Sequence, residues 1–285
     1  MLQSSDSYSD LMRILISNDD GIHSPALHAL ARMAASHGEV VIAAPASEQS
    51  ATSHSITVYA PLRATASDVV KLRPGTPDAF EAYSINGTPA DAVAVGLSLF
   101  SGVDLVLSGI NLGANAGYGV MHSGTVAAAR QAVAMGVPAI ALSAADPSPG
   151  QGFEHLAPYL AEAIKARSTH DIPLLNVNFP AAQTQDSDPY SPANKPSAQG
   201  HPQAYQGAAR ASDIRWTFVS THAYGRKIIA AQDPRERTVY WSTYVGVDNP
   251  APGSDRWALA NNYVSFTPLT MQAADMACLE AVQHS

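Results

Sequence analysis

Asn18-Asp19-Asp20-Gly21 sets two carboxylates side by side directly after the short apolar run Met12 to Ser17. Adjacent carboxylates repel, and each is costly to desolvate unless a cation compensates. A hard divalent ion such as Mg²⁺ or Mn²⁺, bound through oxygen, answers both problems. The same dipeptide also suits an Asx turn that caps a helix, so by itself the pair leaves a turn and a metal site as competing readings. Two further stretches carry oxygen donors. Pro45 to Ser55 is dense in hydroxyls, includes Ser50, Glu48 and His54, and reads equally as a solvated turn. Ser108 to Gly119 has glycine at four positions, which lets backbone approach a ligand, and brings the amides of Asn111 and Asn115.

Ser123-Gly124-Thr125 follows and opens a helical segment through Val126-Ala-Ala-Ala-Arg130. Free N–H groups and the positive dipole end at a helix start can hold a phosphate, although an ordinary Ser/Thr cap reads the same way. No Lys precedes the Ser or Thr, which excludes a Walker P-loop, and no G-x-G-x-x-G fingerprint stands at the right place for a dinucleotide fold. No G-x-S-x-G elbow supports a serine hydrolase. His23, His54 and His122 lie in these loops, and each could give a proton to a leaving group.

The elements that must position these residues alternate. Met12–Ser17 reads as a buried strand, Pro25 to Gly38 as a helix and its stop, and Glu39–Ala44 as a second strand. Helices from Thr88 to Leu99, Thr125 to Met135 and Phe153 to Arg167 alternate with strands at Val103–Leu107, Pro138–Leu142 and Pro173–Val177. Such alternation predicts an α/β protein, a Rossmann-like, doubly wound, mostly parallel sheet with ligands at the carboxyl ends of its strands. After Pro180 the pattern changes. Ala181 to Ser212 reads as a Pro/Ser/Gln-rich insertion. Ile214–Ser220, Lys227–Ala230 and Thr238–Tyr244 read as an antiparallel appendage, Asn262–Thr267 as a further strand, and Met271–Gln283 as a terminal helix that suits oligomerisation. The expected organisation is a polar extension (1–11), a catalytic core (12–180), the insertion (181–212), and a β-rich arm with a final core strand and helix (213–285).

Bulk properties narrow the partners. With 46% hydrophobic and 14% charged residues the chain is built to pack, not to stay disordered. Its formal charge of −8 and lack of basic runs exclude a nucleic-acid polymer as the expected partner. Cys278 is the single cysteine, so neither an intrachain disulfide nor a cysteine-cluster zinc site is expected. The first ten residues lack the basic and apolar regions of a signal peptide, and no apolar run approaches the roughly 20 residues of a membrane span. A cytoplasmic protein is the expectation.

Taken together, Ile14 to Pro25, Ala44 to Ser50, Asn86-Gly-Thr-Pro-Ala-Asp91, Ser108 to Asn115 and Ser123 to Ala129 resemble the SurE family of survival proteins, with weaker echoes at Gln232–Arg235 and Tyr263–Pro268. That resemblance implies a 5′-nucleotidase acting on nucleoside 5′-monophosphates, with 3′-nucleotides and short polyphosphate as further substrates. It implies one Mg²⁺ or Mn²⁺ per subunit on Asp19, Asp20, Ser50 and Asn111, phosphate contacts from Asn115, Ser123, Gly124 and Thr125, and a homodimer or homotetramer built through the arm. Asp19, Asp20 and Asn111 are thereby the expected catalytic groups. Ala51, where the family pattern has Gly, and His122, where it has Tyr, are departures. Two rival readings make different products: a nucleotide sensor releases nothing, and a nucleoside N-glycoside hydrolase releases free base.

Overall fold

The structure is a computed structural model that describes residues 11–68, 80–144, 152–180, 213–221, 225–245 and 249–271. The expected insertion and, beyond Met271, the expected terminal helix lie outside the described residues. Eleven strands are described: β1 (Arg13–Ser17), β2 (Glu39–Pro45), β3 (Ala64–Ala66), β4 (Glu81–Ile85), β5 (Leu105–Leu112), β6 (Ala139–Ala144), β7 (Leu174–Asn178), β8 (Ile214–Trp216), β9 (Gly225–Gln232), β10 (Thr238–Val245) and β11 (Val264–Leu269). The α-helices are α1 (Pro25–Ala34), α2 (Pro89–Leu99), α3 (Gly124–Ala134), α4 (Ala157–Thr169) and α5 (Asp255–Ala260).

Nine strands form one sheet in the order β3-β4-β2-β1-β5-β6-β7-β11-β8, parallel from β4 through β7. The chain winds from β1 outward through β2 to β4, then crosses back to β5 and winds the other way. The topological switch therefore lies between β1 and β5, the position at which sheets of this kind bind their ligands. Strand side chains alternate between the two faces. Ile14 and Ile16 join α1 and α4 in one core cluster, while Leu15 joins α2 and α3 in the other. Each such side chain, fully buried, stabilises the fold by about 2 kcal/mol.

The structure departs from the sequence reading in three places. Strand β5 does not stop at Leu107 but continues to Leu112, because its backbone still pairs with Ser143 and Ala144 of β6 past a register shift between Ser108 and Asn111. A Cβ at Gly109, whose φ is +144°, would run into the carbonyl of Leu142, so this irregularity requires glycine. Strand β8 belongs to the edge of the main sheet, parallel to β11, and not to the appendage; only β9 and β10 form a separate antiparallel ribbon. Finally β3, β4 and α5 had no periodicity long enough to read. β11 pairs antiparallel with β7 as the last core strand.

Candidate active site

The loop leaving β1 is fixed from below. Gly21 N–H donates to the Asn18 Oδ1 at 3.1 Å and the Asn18 amide donates to Gly21 O at 3.2 Å, both in the interior. This is the Asx turn the dipeptide suggested, but it is made by Asn18, which frees both aspartates. Asp19 is buried at 4% exposure. Thr125 Oγ1, in the first turn of α3, donates to Asp19 Oδ1 at 2.6 Å. A Cβ on Gly124 would stand 2.8 Å from the Asp19 Cβ and 3.0 Å from its Oδ2, so the start of α3 presses directly on this carboxylate.

Asp20 is treated differently. Its Oδ2 is buried and has no hydrogen-bond partner among the described residues. Burial, then the charges of Asp19 and Glu48, push its pKa up to about 6. Burial also raises Asp19, against the pull of the Thr125 hydroxyl and backbone. Among the described residues protein groups thus leave two carboxylates undercompensated, one with an oxygen that meets no partner, a deficit that a cation could offset.

The other expected ligands come from neighbouring strand ends. Asn111 ends β5 beyond the bulge, and its amide donates to Gly113 O at 2.7 Å, which leaves its Oδ1 as the free acceptor. Ser50 is exposed on the loop after β2, with Oγ donating to Glu48 Oε1 at 2.8 Å. That loop is tied to the first by Gln49 N–H donating to Asp19 O at 2.8 Å. All these donors are oxygens, which fits a hard divalent ion. Among the described residues no three His, Cys, Asp or Glu side chains cluster as a metal site, consistent with a set in which Ser and Asn supply half the donors.

The expected phosphate-contacting residues gather around α3. Ser123 caps it, accepting Val126 N–H at 3.0 Å, and so keeps its own hydroxyl proton to donate. Gly124 and Thr125 are first-turn residues whose N–H groups have no helical carbonyl, with Thr125 already turned toward Asp19. Asn115 is buried, and its amide points inward, at 2.9 Å from Ser143 Oγ and 3.4 Å from Thr125 Oγ1. Of the histidines, His54 is committed to Gln131 at 3.0 Å, while His23 and His122 are exposed.

Sequence reading missed the supports. Asn176 and Asn178 in β7, and Ser143 in β6, are fully buried polar residues in central strands. Their signal was present: Leu174-Leu-Asn-Val-Asn178 breaks an otherwise apolar strand with two amides, which is costly unless they are bonded.

A doubly wound sheet with a carboxylate pair at its switch point and a helix N-terminus against it defines an α/β enzyme core of the kind that handles phosphate. The chain belongs to the SurE family: the family model described as survival protein SurE matches residues 14–201. The 5′-nucleotidase SurE 1 of Thermus thermophilus is 35% identical, covering 95% of this chain and 96% of that one. The 5′-nucleotidase SurE of Herpetosiphon aurantiacus is 39% identical, with 96% of both chains covered. The crystal structure of the SurE protein from Aquifex aeolicus superposes with a TM-score of 0.68 at 30% identity, over 95% of this chain and 98% of that one.

Proposed function

We propose that this protein is a divalent-metal-dependent 5′-nucleotidase that hydrolyses nucleoside 5′-monophosphates to nucleoside and phosphate, with 3′-nucleotides and short polyphosphate as further substrates. The observation that carries the reading is the buried, unpartnered Oδ2 of Asp20 beside Asp19 at the switch point, supported by relatives named as 5′-nucleotidases.

Asp19, Asp20, Ser50 Oγ and Asn111 Oδ1 are the groups that hold Mg²⁺ or Mn²⁺. When bound, the ion polarises a phosphoryl oxygen and lowers the pKa of water. Asp19 is the fixed ligand, its rotamer set by Thr125. Asp20 brings the oxygen that has no hydrogen-bond partner among the described residues. The N–H of Gly124, the hydroxyl of Ser123 and the first turn of α3 stabilise charge on the phosphoryl oxygens. Asn115 contributes from behind by holding Thr125. His23, His54, His122 or an aspartate is the proton donor for the leaving group; of the histidines, His23 and His122 are exposed and His54 is bound to Gln131.

The defining test is phosphate release from AMP and GMP by the purified protein with Mn²⁺. EDTA abolishes release and Mn²⁺ restores it. Binding without phosphate release would establish a sensor, and liberation of free base would establish an N-glycoside hydrolase. A trapped aspartyl-phosphate would replace water attack by attack from an aspartate.

A cytoplasmic homodimer or homotetramer completes the reading. The β9–β10 ribbon exposes Ile228, Ile229, Tyr240 and Trp241, the last at 64%, more apolar surface than an isolated hairpin carries stably. Light scattering on the full chain measures the assembly. No helix among the described residues is long and apolar enough to cross a membrane.

A further inference from the structure

The segment 115–117, between β5 and α3, has its backbone met by side chains from two other parts of the chain. Asn115 N–H donates to Asn178 Oδ1 at 2.7 Å, and Asn115 O accepts from the amides of Asn176 at 2.8 Å and Asn178 at 3.2 Å. Ala116 O accepts from Arg256 at 3.0 Å, and Gly117 N–H donates to Asp255 Oδ2 at 2.7 Å. Asp255 is completely buried. Its other oxygen accepts the N–H groups of Ser220 at 2.9 Å and Arg256 at 2.7 Å. Helix α5 does not need this carboxylate as its cap, because Ser254 already accepts Trp257 N–H at 3.2 Å. A buried charge costs several kcal/mol unless its lone pairs are met. Here they are met by the glycine-rich loop and by the strand-end segment that precedes the β9–β10 ribbon.

From this loop a continuous chain of contacts leads to the site. Asp255 fixes Gly117, residues 115–117 place the Asn115 amide against Thr125 and Ser143, and Thr125 holds Asp19. At Gly117, with φ of +58°, a Cβ would also collide with the Arg256 guanidinium, so the two residues of α5 close over this backbone. We infer that Asp255 is a positioning residue for phosphate-ester hydrolysis, acting through Gly117, Asn115 and Thr125 to set the Asp19 carboxylate. The inference rests on Asp19 being a metal ligand, as proposed above.

The test is Asp255→Asn, nearly isosteric, in the full chain. Expected is a loss of kcat on AMP of about 10- to 100-fold, the range for residues that orient a metal ligand, with KM changed less than about threefold. Calorimetry on metal-free protein shows weaker Mn²⁺ binding, and hydrogen exchange accelerates at the amides of 115–117. Combined with Thr125→Val, the losses fall short of multiplying, because both substitutions break one chain of contacts. A kcat within about twofold of the parent, unchanged Mn²⁺ binding, or losses that multiply in full each overturn the inference. Should Asp255→Asn not fold, Arg256→Met removes the side-chain bond to Ala116 O on the same backbone segment, and unchanged kcat and Mn²⁺ affinity there overturn it equally. Asp20→Asn, measured alongside, separates the two levels: full turnover by that variant sinks the site reading, whereas its inactivity beside a fully active Asp255→Asn sinks only the positioning role.

Discussion

The loops after β1 and β2 stand at neighbouring strand ends and are built in opposite ways. The first is buried and locked. Asn18 closes its turn, Gly124 and Thr125 press on Asp19, and residues as far away as Asp255 brace the contact. The second, from Ala46 to Tyr59, is mostly exposed and held only at points. Gln49 ties to Asp19, Ser53 to the carbonyl of His122 at 3.1 Å, and Thr57 to Asp91 through its N–H at 2.9 Å and its hydroxyl at 2.7 Å. Ser50, between two of these ties, is free to move by a rotamer. Of the four proposed ligands the two aspartates are thus preorganised, whereas Ser50 is adaptable. In the proposed site a rigid carboxylate floor would fix where an ion sits, and an exposed hydroxyl would let its surroundings adjust as a phosphate arrives.

Substitutions in the locked loop should cost most. Asp20→Asn, like Asp19→Asn, is expected to lower AMP hydrolysis by about 10³-fold or more while the fold survives, which corresponds to several kcal/mol of transition-state stabilisation. Near-parental turnover of p-nitrophenyl phosphate with Mn²⁺ would count decisively against the site. Gly124→Ala drives a methyl against Asp19 and should cost about 10²-fold, the scale of a displacement near 1 Å at a reacting centre. A structure or thermal melt of the same variant shows whether α3 has shifted as a unit or the protein has unfolded.

In the adaptable loop the losses shrink. Ser50→Ala should weaken Mn²⁺ binding by about tenfold, read by calorimetry, because a hydroxyl is the most replaceable of the four donors. Equal losses from Ser50→Ala and Asp20→Asn would erase the contrast between the loops.

Acid resolves the two loops further. Since Asp20 moves from its ordinary 3.8 to about 6 on folding, the folded metal-free protein binds more protons than the unfolded chain between those values. The stability this group contributes therefore falls as pH rises through that window, and then levels. Thermal melts in EDTA across the window should fall more steeply in the parent than in Asp20→Asn, where the raised Asp19 remains. With Mn²⁺ present the trend reverses, as deprotonation is what the ion requires.

The smallest effect lies next to Ser50. Ala51 adopts φ of +58°, the left-handed region that favours glycine. Ala51→Gly should stabilise the protein by about 1 kcal/mol, measured by urea denaturation. No gain would mean that the loop relaxes around alanine at no cost.

Much of this was legible in the residue order. The alternation of apolar runs with helical stripes gave the parallel sheet, since burial on both faces demands continuous hydrophobic strands. Ser24-Pro25 and Thr88-Pro89 marked two helix starts, and Thr88 does cap α2, with Asp91 completing the box. What stayed hidden was short or depended on partners. A three-residue strand such as β3 is too brief for period two to register, and Ile214–Ser220, though read as a strand, carried no sign that its partner is β11 of the main sheet. Likewise Gly109 read as one of four loop glycines that let backbone approach a ligand, whereas in the structure it lets β5 pass the carbonyl of Leu142.

Sequence by itself determined the chemistry available: two adjacent carboxylates, an amide, a hydroxyl and a helix start, each at the end of a predictable element. These follow from local rules, because propensity, capping and periodicity act within a few residues. Only the tertiary structure decided the division of labour between Asp19 and Asp20, which are indistinguishable as neighbours in a chain. Thr125 lies 106 residues from Asp19 and meets just one of them. Burial leaves the other with an oxygen that meets no hydrogen-bond partner among the described residues. That difference belongs to contacts made across the sheet, and no pattern along the chain records it.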